Sequence, residues 1–361
     1  MSENIYAAGA VIAGRYEIES FLAAGGMQEV YVASDRVLKR RVALKTPKND
    51  SASKRFEGSA VLSARISHPF VAKTYDYLVD EDRAHLLEEL VPGGNLEVAL
   101  EKHMPTPDPH IIAQCLHQLA KALRASHAVG VVHRDLKPSN IVIDGSRAEL
   151  NFKVTDFGIA KLTEEELERA NKTPGTILNS STMFGALPYM SPEVIDNPRK
   201  AGTASDVWAL GAIIYRMLSG VAPFGEGLKA IPKIVSGKPP SKPEPLPHLT
   251  QFKQLSAEIW EIIKDCFEID VNKRQTAATI VDRASTLCYS VQSRMIGQIA
   301  NYPAGAGGNF GFIVADGVQY FFHRDSFFSP AVHEGQRVYF SAHPGRPKNR
   351  AHPISALLDE A

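Results

Sequence analysis

Residues 133–140 read His-Arg-Asp-Leu-Lys-Pro-Ser-Asn, and the apolar run Ile-Val-Ile follows at once. Within this loop an aspartate, a lysine and an asparagine lie two and three residues apart, ahead of a short predicted strand. Asp135 can accept a proton from an attacking hydroxyl, and Lys137 can neutralise a phosphoryl oxygen. The amide oxygen of Asn140 can ligate a hard cation. The loop therefore holds a proton acceptor, a positive charge and a metal ligand in one short segment.

A second strand-like run, residues 151–155, leads directly to Asp156-Phe157-Gly158. This triplet adds a carboxylate for a metal and a glycine that lets the chain turn sharply. The loop and the triplet together resemble the catalytic loop and the metal-binding segment of the protein kinase family. A polar surface turn is the alternative for the loop, and the second carboxylate downstream argues against it.

Composition adds general limits. The 361 residues suffice for two or three domains of about 150 residues each. Lys plus Arg and Asp plus Glu both number 40, so any basic surface must be local. The cysteines 115, 266 and 288 lack metal-ligand spacing and lie in apolar helical contexts, which predicts buried free thiols in a reducing compartment. The apolar run 207–215 is shorter than the roughly 20 residues that cross a bilayer, and the N-terminus does not read as a secretory signal. We expect a soluble, cytoplasmic protein without a membrane partner.

Residues from about 14 to 45 alternate polar and apolar positions, as a half-buried antiparallel sheet does. Strands are predicted at 16–21, 29–33 and 41–45. The hairpin 22–28 contains glycines, whose amides can approach phosphate oxygens closely. Kinases usually have three glycines here, but Ala23 and Gln28 take the first and third places and leave Gly25.

The resemblance implies an ATP site between two lobes. Three side chains would sandwich the adenine, the backbone of two residues would meet its edge, and Lys45 would hold the α- and β-phosphates. The implied nucleotide-binding residues are Leu22, Gly25, Val30, Ala43, Lys45, Glu89, Val91, Asn95 and Val142. Asp135 and Lys137 would be the catalytic residues, while Asn140 and Asp156 would bind Mg²⁺.

The helix predicted at 54–66 lacks an expected charge. In kinases this helix supplies a glutamate for the strand lysine, and that place falls on Ser59. Glu57 lies about 200° around the helix and should point elsewhere. Glu88, at the deep end of the nucleotide pocket, is the nearest carboxylate in the kinase layout. We therefore predict that Glu88 pairs with Lys45 and that Ser59 donates at most a hydrogen bond; the alternative is that Glu88 faces solvent.

The large lobe is predicted to contain a helix at 109–129 whose apolar face packs beneath the catalytic loop. By resemblance, Asp206 accepts bonds from the backbone of that loop, and it should also cap its own helix. Glu193 and Arg274 match the buried ion pair that fastens the kinase activation segment.

The polar stretch 164–182 contains several hydroxyls, as does Thr163, and a phosphorylated one could pair with Arg134. Ala186 stands where a serine/threonine kinase normally has threonine, so the catalytic loop should be looser.

After about residue 288 the composition changes to short alternating strands. They are predicted at 296–302, 309–314, 320–323 and 334–340. This part resembles a cold-shock domain, a five-stranded oligonucleotide-binding barrel. Alternation places aromatic residues on one face, where they could stack on bases of single-stranded RNA or DNA. The implied nucleic-acid-binding residues are Tyr302, Phe310, Phe312, Phe321 and His323. The alternative is that these rings belong to the barrel core. Asn301 replaces an expected tryptophan, and Arg346, Lys348 and Arg350 form a basic cluster.

The predicted fold class is α+β: a bilobal kinase fold with a small β-rich lobe and a large helical lobe at 14–288, then an all-β barrel at 293–357. The predicted function is ATP- and magnesium-dependent phosphorylation of protein serine or threonine, coupled to nucleic-acid binding. The competing hypothesis is a non-catalytic kinase fold that binds nucleotide or partners and is tethered to the same barrel. Because every chemical group precedes residue 157, phosphotransfer should survive deletion of 293–361.

Overall fold

The N-terminal part of the chain is an antiparallel sheet with one helix. The computed structural model describes residues 4–25, 28–48, 50–144, 150–157, 185–243, 250–305 and 308–358. The sheet has the order β1-β2-β3-β4-β6-β5. Its strands are β1 Val11–Ile12, β2 Tyr16–Ala24, β3 Gln28–Asp35, β4 Arg40–Pro47, β5 Thr74–Asp80 and β6 Arg83–Glu89. Helix α1, Asp50–Ser63, packs Phe56 and Ala60 on Ala84 and Leu86 of β6. This is the predicted small lobe, with α1 beginning and ending before its predicted bounds of 54–66.

The large lobe is helical and is built around two long buried helices. Its described helices are α2 Leu96–Val98, α3 Pro109–Ala128, α4 Pro192–Asp196, α5 Thr203–Ser219, α6 Ala230–Val235, α7 Thr250–Ile263 and α8 Ala277–Ala284. The hairpin of β7, Ile141–Asp144, and β8, Asn151–Val154, lies between α3 and α4 in sequence. Asp108 caps α3 by accepting from the amides of His110 and Ile111, and Pro109 fits the first turn because its missing N–H needs no partner. The predicted apolar face of α3 is buried in the main core, as expected.

The C-terminal part is a small β-barrel. The strands are β9 Arg294–Asn301, β10 Phe310–Ala315, β11 Val318–His323, β12 Phe327–Phe328, β13 Arg337–His343 and β14 Arg350–Ala356. Their order is β11-β10-β9-β13-β14-β12, and β11 also pairs with β14, which closes the sheet. A Cβ on Gly297 would lie 2.6 Å from Ile313, so only glycine fits where β9 crosses the core. The barrel therefore has its own core around Ile313, Phe322 and Phe340.

The barrel packs on the large lobe through a buried surface, here called the lobe–barrel interface. Arg294 of β9 makes a two-bond ion pair with Asp108, at 2.6 and 3.0 Å, and both side chains are almost fully buried. Ser355 of β14 donates to the same carboxylate at 2.7 Å. Phe252 of α7 packs edge-on against Phe328, with ring centroids 5.2 Å apart. The cap of α3 is thus completed by side chains from the barrel.

Three sequence expectations need correction. Cys288 is exposed and lies beyond α8, whereas the other two cysteines are buried as predicted. Asp206 does not cap α5: the N-cap is Gly202, whose amide donates to the hydroxyl of Ser205 at 3.2 Å. Strand β14 had no predicted counterpart, because Arg350 and Pro353 mask the alternation. No helix within the described ranges is long and apolar enough to cross a membrane.

Candidate active site

The predicted catalytic loop gathers its three polar groups around Asp135. Lys137 Nζ lies 2.9 Å from Asp135 Oδ2. Asn140 Nδ2 donates to the Asp135 carbonyl at 2.8 Å and to Oδ2 at 3.2 Å. Among the described contacts of this carboxylate, the partners sit on Oδ2, so Oδ1 is available to accept a proton.

Buried hydrogen bonds fix the backbone of this loop. Asp206 accepts from the amides of His133 and Arg134, both at 2.8 Å, as the sequence predicted. His127 of α3 also contacts the Asp206 carboxylate at 2.8 Å. The ring of His133 is 2.9 Å from the Thr155 carbonyl, which links the catalytic loop to the metal-binding segment. Arg134 has a φ of 70°, a left-handed conformation that these bonds stabilise.

Lys45 and Asp156 meet across the cleft. Lys45 Nζ donates to Asp156 Oδ1 at 2.9 Å and to Thr155 Oγ1 at 3.1 Å. Burial alone would lower the pKa of Lys45, but the carboxylates of Asp156 and Glu88 outweigh it and hold that pKa above its usual value. Burial alone would likewise raise the pKa of Asp156, but Lys45 holds it below its usual range. The lysine is therefore a fixed positive charge beside an ionised aspartate.

The carboxylate of Glu88 also binds Lys45, which confirms the predicted pair. Lys45 Nζ donates to Glu88 Oε2, and Thr155 Oγ1 donates to the same oxygen at 3.2 Å. Glu88 is buried, so the alternative in which it faces solvent is wrong. Burial and the nearby Asp156 raise the pKa of Glu88. The two carboxylates that share the ammonium therefore differ, since the pKa of Glu88 is above its usual value and that of Asp156 is below it.

The expected position of the helix glutamate carries a neutral contact instead. Ser59 is 2% exposed and donates from Oγ to the Phe157 carbonyl at 2.6 Å. Glu57 is exposed, as its place on the helix predicted. Ser59 therefore fastens α1 to the metal-binding segment without contributing charge.

Gln28 contributes a contact that sequence reasoning missed. Its Nε2 donates to Asp156 Oδ1 at 3.1 Å, so the hairpin that should cover ATP reaches the metal-binding aspartate. Gly25, the remaining glycine, closes the hairpin by donating its amide to the Gln28 carbonyl at 2.9 Å. The signal was present in the sequence only as a departure, a long polar side chain where a glycine was expected.

The other implied nucleotide residues lie on strands β2, β3, β4, β6 and β7 and on the segment that follows β6. Ala43 is buried, Val30 and Val142 are half-buried, and Val91 follows the end of β6. Leu22 is 51% exposed on β2. The Glu89 side chain pairs with Lys153, and the Asn95 side chain accepts from the Val98 amide at 2.9 Å as the cap of α2. Asn95 therefore has a structural role in addition to its implied role in nucleotide binding.

The residues implied for Mg²⁺ have suitable free oxygens. The amide nitrogen of Asn140 makes the two bonds to Asp135, which turns its oxygen away from that residue. In the described contacts of Asp156 the partners sit on Oδ1. An amide oxygen and a carboxylate oxygen match the preference of Mg²⁺ for oxygen ligands, so the donor set fits.

The structure describes the end of the region that matches the kinase activation segment, from residue 185 onward. Glu193 and Arg274 form the predicted ion pair, with bonds of 2.7 and 3.1 Å. Burial alone would raise the pKa of Glu193, but Arg274 holds it below its usual range. Ala186 is buried and lines a cavity of about 20 Å³ with Asp135. The hydroxyls of 163–182, including the phosphorylation candidates, and Gly158 lie outside the described residues.

The barrel presents one aromatic face, here called the aromatic platform: Phe310, Phe312, Phe321 and His323. The register pairs Phe310 with His323 and Phe312 with Phe321, while the alternate positions of both strands point into the barrel core. Phe310 and Phe321 are stacked with centroids 5.6 Å apart. Tyr302 does not share this arrangement, because its ring stacks on Phe322 of the core. The predicted alternation is confirmed for the four platform residues.

A bilobal fold with a lysine, two residues whose oxygens suit a divalent cation, and an aspartate in a buried loop defines a class of nucleotide-dependent phosphotransferase. The family model for the protein kinase domain matches residues 16–284, and the chain belongs to this family.

Several curated proteins are similar to the chain. It is 35% identical over 251 residues to the serine/threonine-protein kinase PknA of Mycobacterium tuberculosis (strain H37Rv), covering 66% of this chain and 55% of that protein. It is 33% identical over 229 residues to the serine/threonine-protein kinase PrkC of Bacillus subtilis, with 61% and 33% covered. With the serine/threonine-protein kinase pkn2 of Myxococcus xanthus it shares 32% identity over 289 residues, 78% and 33%. The chain thus spans about half, or less, of the length of these relatives.

Proposed function

We propose that this chain is a serine/threonine protein kinase that transfers the γ-phosphoryl group of ATP to protein hydroxyls. The observation that carries the proposal is the cluster of Asp135, Lys137 and Asn140, whose loop bonds through His133 to Thr155, the neighbour of Asp156 in the Lys45–Asp156 pair. The curated relatives, which are named serine/threonine kinases, support the same assignment. The spacing of Lys137 after Asp135 favours serine and threonine over tyrosine as acceptors.

Each residue would have a separate task in the transfer. Asp135 Oδ1 orients the substrate hydroxyl and receives its proton as the oxygen attacks the γ-phosphorus. Lys137 neutralises the transferred group, while Lys45 holds the non-reacting phosphates. Mg²⁺, held by Asn140 and Asp156, would supply the remaining charge neutralisation. The bond from the γ-phosphorus to ADP breaks, and the phosphoryl group ends on the substrate oxygen.

A radiolabelled-ATP assay of the full chain with Mg²⁺ and a generic protein substrate tests this function. Asp135→Asn should abolish transfer, because the amide cannot accept the proton. The matched control is Asp196→Asn, an exposed residue of α4 that pairs with Lys200 on the surface, and it should keep wild-type activity. Acid hydrolysis of the product should release phosphoserine or phosphothreonine; phosphotyrosine would contradict the acceptor assignment.

The competing function is a non-catalytic kinase fold. It is motivated by Ala23, Gln28, Ser59 and Ala186, the four departures from the usual kinase pattern. Two of them are compensated locally, since Gln28 and Ser59 bond to the metal-binding segment. ATP binding without measurable transfer in the same assay would favour this competing function.

We also propose that the barrel binds single-stranded RNA or DNA on the aromatic platform. Lys348 Nζ lies 4.9 Å above the Phe312 ring, and the Arg350 guanidinium is 6.0 Å from the Phe321 centroid. The phenylalanine rings of the platform are half-buried on the outer face of the strands. Rings on such a face can stack bases, and cations beside them attract the backbone phosphates. The platform thus offers rings for base stacking and a local positive charge, although the whole chain has a formal net charge of zero.

Titration of the full chain with a fluorescent single-stranded oligonucleotide at fixed salt tests the platform. The double variant Phe310→Ala, Phe312→Ala should weaken binding by about 2–6 kcal/mol if two bases stack there. Val314→Ala, on the same face of β10, is the matched control and should bind as wild type does. Unchanged affinity in the double variant would mean that the rings do not bind bases.

A further inference from the structure

The side chains of Lys45 and Glu88 are neighbours because of strand register. Ala43 of β4 lies directly opposite Glu88 of β6, and Lys45 lies opposite Leu86. Lys45 is two residues from Ala43, so its side chain leaves the same face of the sheet as Glu88 does. Diagonal neighbours on one face lie about 7–8 Å apart at Cα, within reach of two long side chains. The pair is therefore fixed by the hydrogen bonds of the sheet.

Helix α1 is attached to the site by a different kind of contact. Its Ser59 hydroxyl bonds to the Phe157 carbonyl, and the exposed Glu57 points away from Lys45. Movement of α1 would thus break a neutral bond to Phe157 but would leave the partners of the lysine in place.

We propose that Glu88 is the positioning residue of Lys45, so that the small-lobe sheet, and not helix α1, sets the place of the ammonium. This inference rests on the proposed kinase function. Gln28, also on the sheet, donates to the same oxygen of Asp156 as Lys45 does, at 3.1 Å. Strand β3 thus supplies Gln28 as a partner of Asp156, and strand β6 supplies Glu88 as a partner of Lys45.

The arrangement also makes the buried Glu88 compatible with ATP. A lone carboxylate at the deep end of the pocket would repel the phosphates. Here it shares one ammonium with Asp156, and Thr155 donates a further hydrogen bond. The Lys45 ammonium thus offsets one of the two carboxylate charges before nucleotide enters.

Steady-state kinetics of three full-length variants test the inference. Glu88→Gln keeps the shape and removes the charge, and a lysine misplaced by about 1 Å should lower kcat about 100-fold. Glu57→Gln is the matched control and should keep wild-type kcat. The double variant Glu88→Gln, Ser59→Glu moves the carboxylate to the helix position and should recover about tenfold of the kcat lost by Glu88→Gln, since the helix carboxylate would then hold Lys45.

The rescue separates positioning from folding, because a purely structural loss at Glu88 would not be restored by a charge on α1. Wild-type kcat in Glu88→Gln, or an equal loss in Glu57→Gln, would overturn the inference. If the wild-type chain transfers no phosphoryl group, the proposed function fails instead. In that case calorimetric titration with ATP in the presence of Mg²⁺ tests the inference. Weaker ATP binding by Glu88→Gln than by Glu57→Gln would support Glu88 as the positioning residue of Lys45, and equal binding would overturn it.

Discussion

Replacing Arg294 by methionine removes the guanidinium from the lobe–barrel interface but keeps most of the side-chain volume. Breaking a buried ion pair from one side costs about 3–5 kcal/mol, because the remaining charge is left buried without its partner. Asp108 would keep the Ser355 hydroxyl at 2.7 Å and the His110 amide at 3.0 Å. We therefore expect the lower end of that range, about 3 kcal/mol of unfolding free energy.

Intrinsic fluorescence gives a direct assay. The two tryptophans, Trp208 and Trp260, both lie in the large-lobe core, so their fluorescence reports on unfolding of the large lobe. Arg294 itself belongs to the barrel. Urea unfolding of Arg294→Met should shift this transition. Arg36→Met, which breaks the exposed pair with Glu17, is the control and should change stability by about 0–1 kcal/mol.

A second variant tests the cause. Adding Asp108→Asn to Arg294→Met removes the stranded charge, so the double variant should be more stable than Arg294→Met alone. A tryptophan transition in Arg294→Met within about 1 kcal/mol of wild type would refute the reasoning, since the barrel would then contribute no more than a surface contact.

Two further predictions concern the same interface. Deleting residues 293–361 should lower the urea midpoint of the tryptophan transition at least as far as Arg294→Met does, and an unshifted midpoint would contradict this. Any fragment that remains folded should still transfer phosphate, since the catalytic groups precede residue 157. A folded but inactive fragment would contradict that second expectation. Burial alone would raise the pKa of Asp108, but Arg294 holds it at about 2, below the ordinary 3.8. Because this pKa is lowered on folding, its stabilisation is present above 3.8 and is lost as the pH falls toward 2. The stability gap between wild type and Arg294→Met should therefore shrink from pH 6 to pH 3, and urea midpoints at the two pH values measure it; a constant gap would exclude the linkage.

The sequence predicted best where the chemistry is contiguous. The catalytic loop carries its groups within residues 133–140, so their assembly around Asp135 needs only local backbone geometry. The Glu88–Lys45 pair was also predictable, because strand alternation and the family layout together fix which side chains share a face. Two further bonds of the pair, from Thr155 to Glu88 and from Lys45 to Asp156, depend on how the lobes close and have no sequence signal.

The interface was missed for the same reason. Asp108 and Arg294 are separated by 186 residues, and each looks like an ordinary surface charge in its own segment. Only the aspartate before Pro109 gave a signal, since that pair marks a helix start. The sequence predicted two independent modules, the kinase lobes and the barrel, whereas a buried ion pair and an aromatic contact join them.

Strand β14 has a consequence for which length changes the chain can tolerate. Arg350 at its first position lies over a platform ring, and Ser355 near its end reaches the Asp108 carboxylate. Because side chains alternate with a period of two, a one-residue insertion or deletion between them would turn one end to the opposite face. Such a change would remove either the cation from the platform or the hydroxyl from the helix cap, with the barrel closure shifted as well. Homologues that vary in length should do so in the segment 344–349 before the strand, and hardly within residues 350–356.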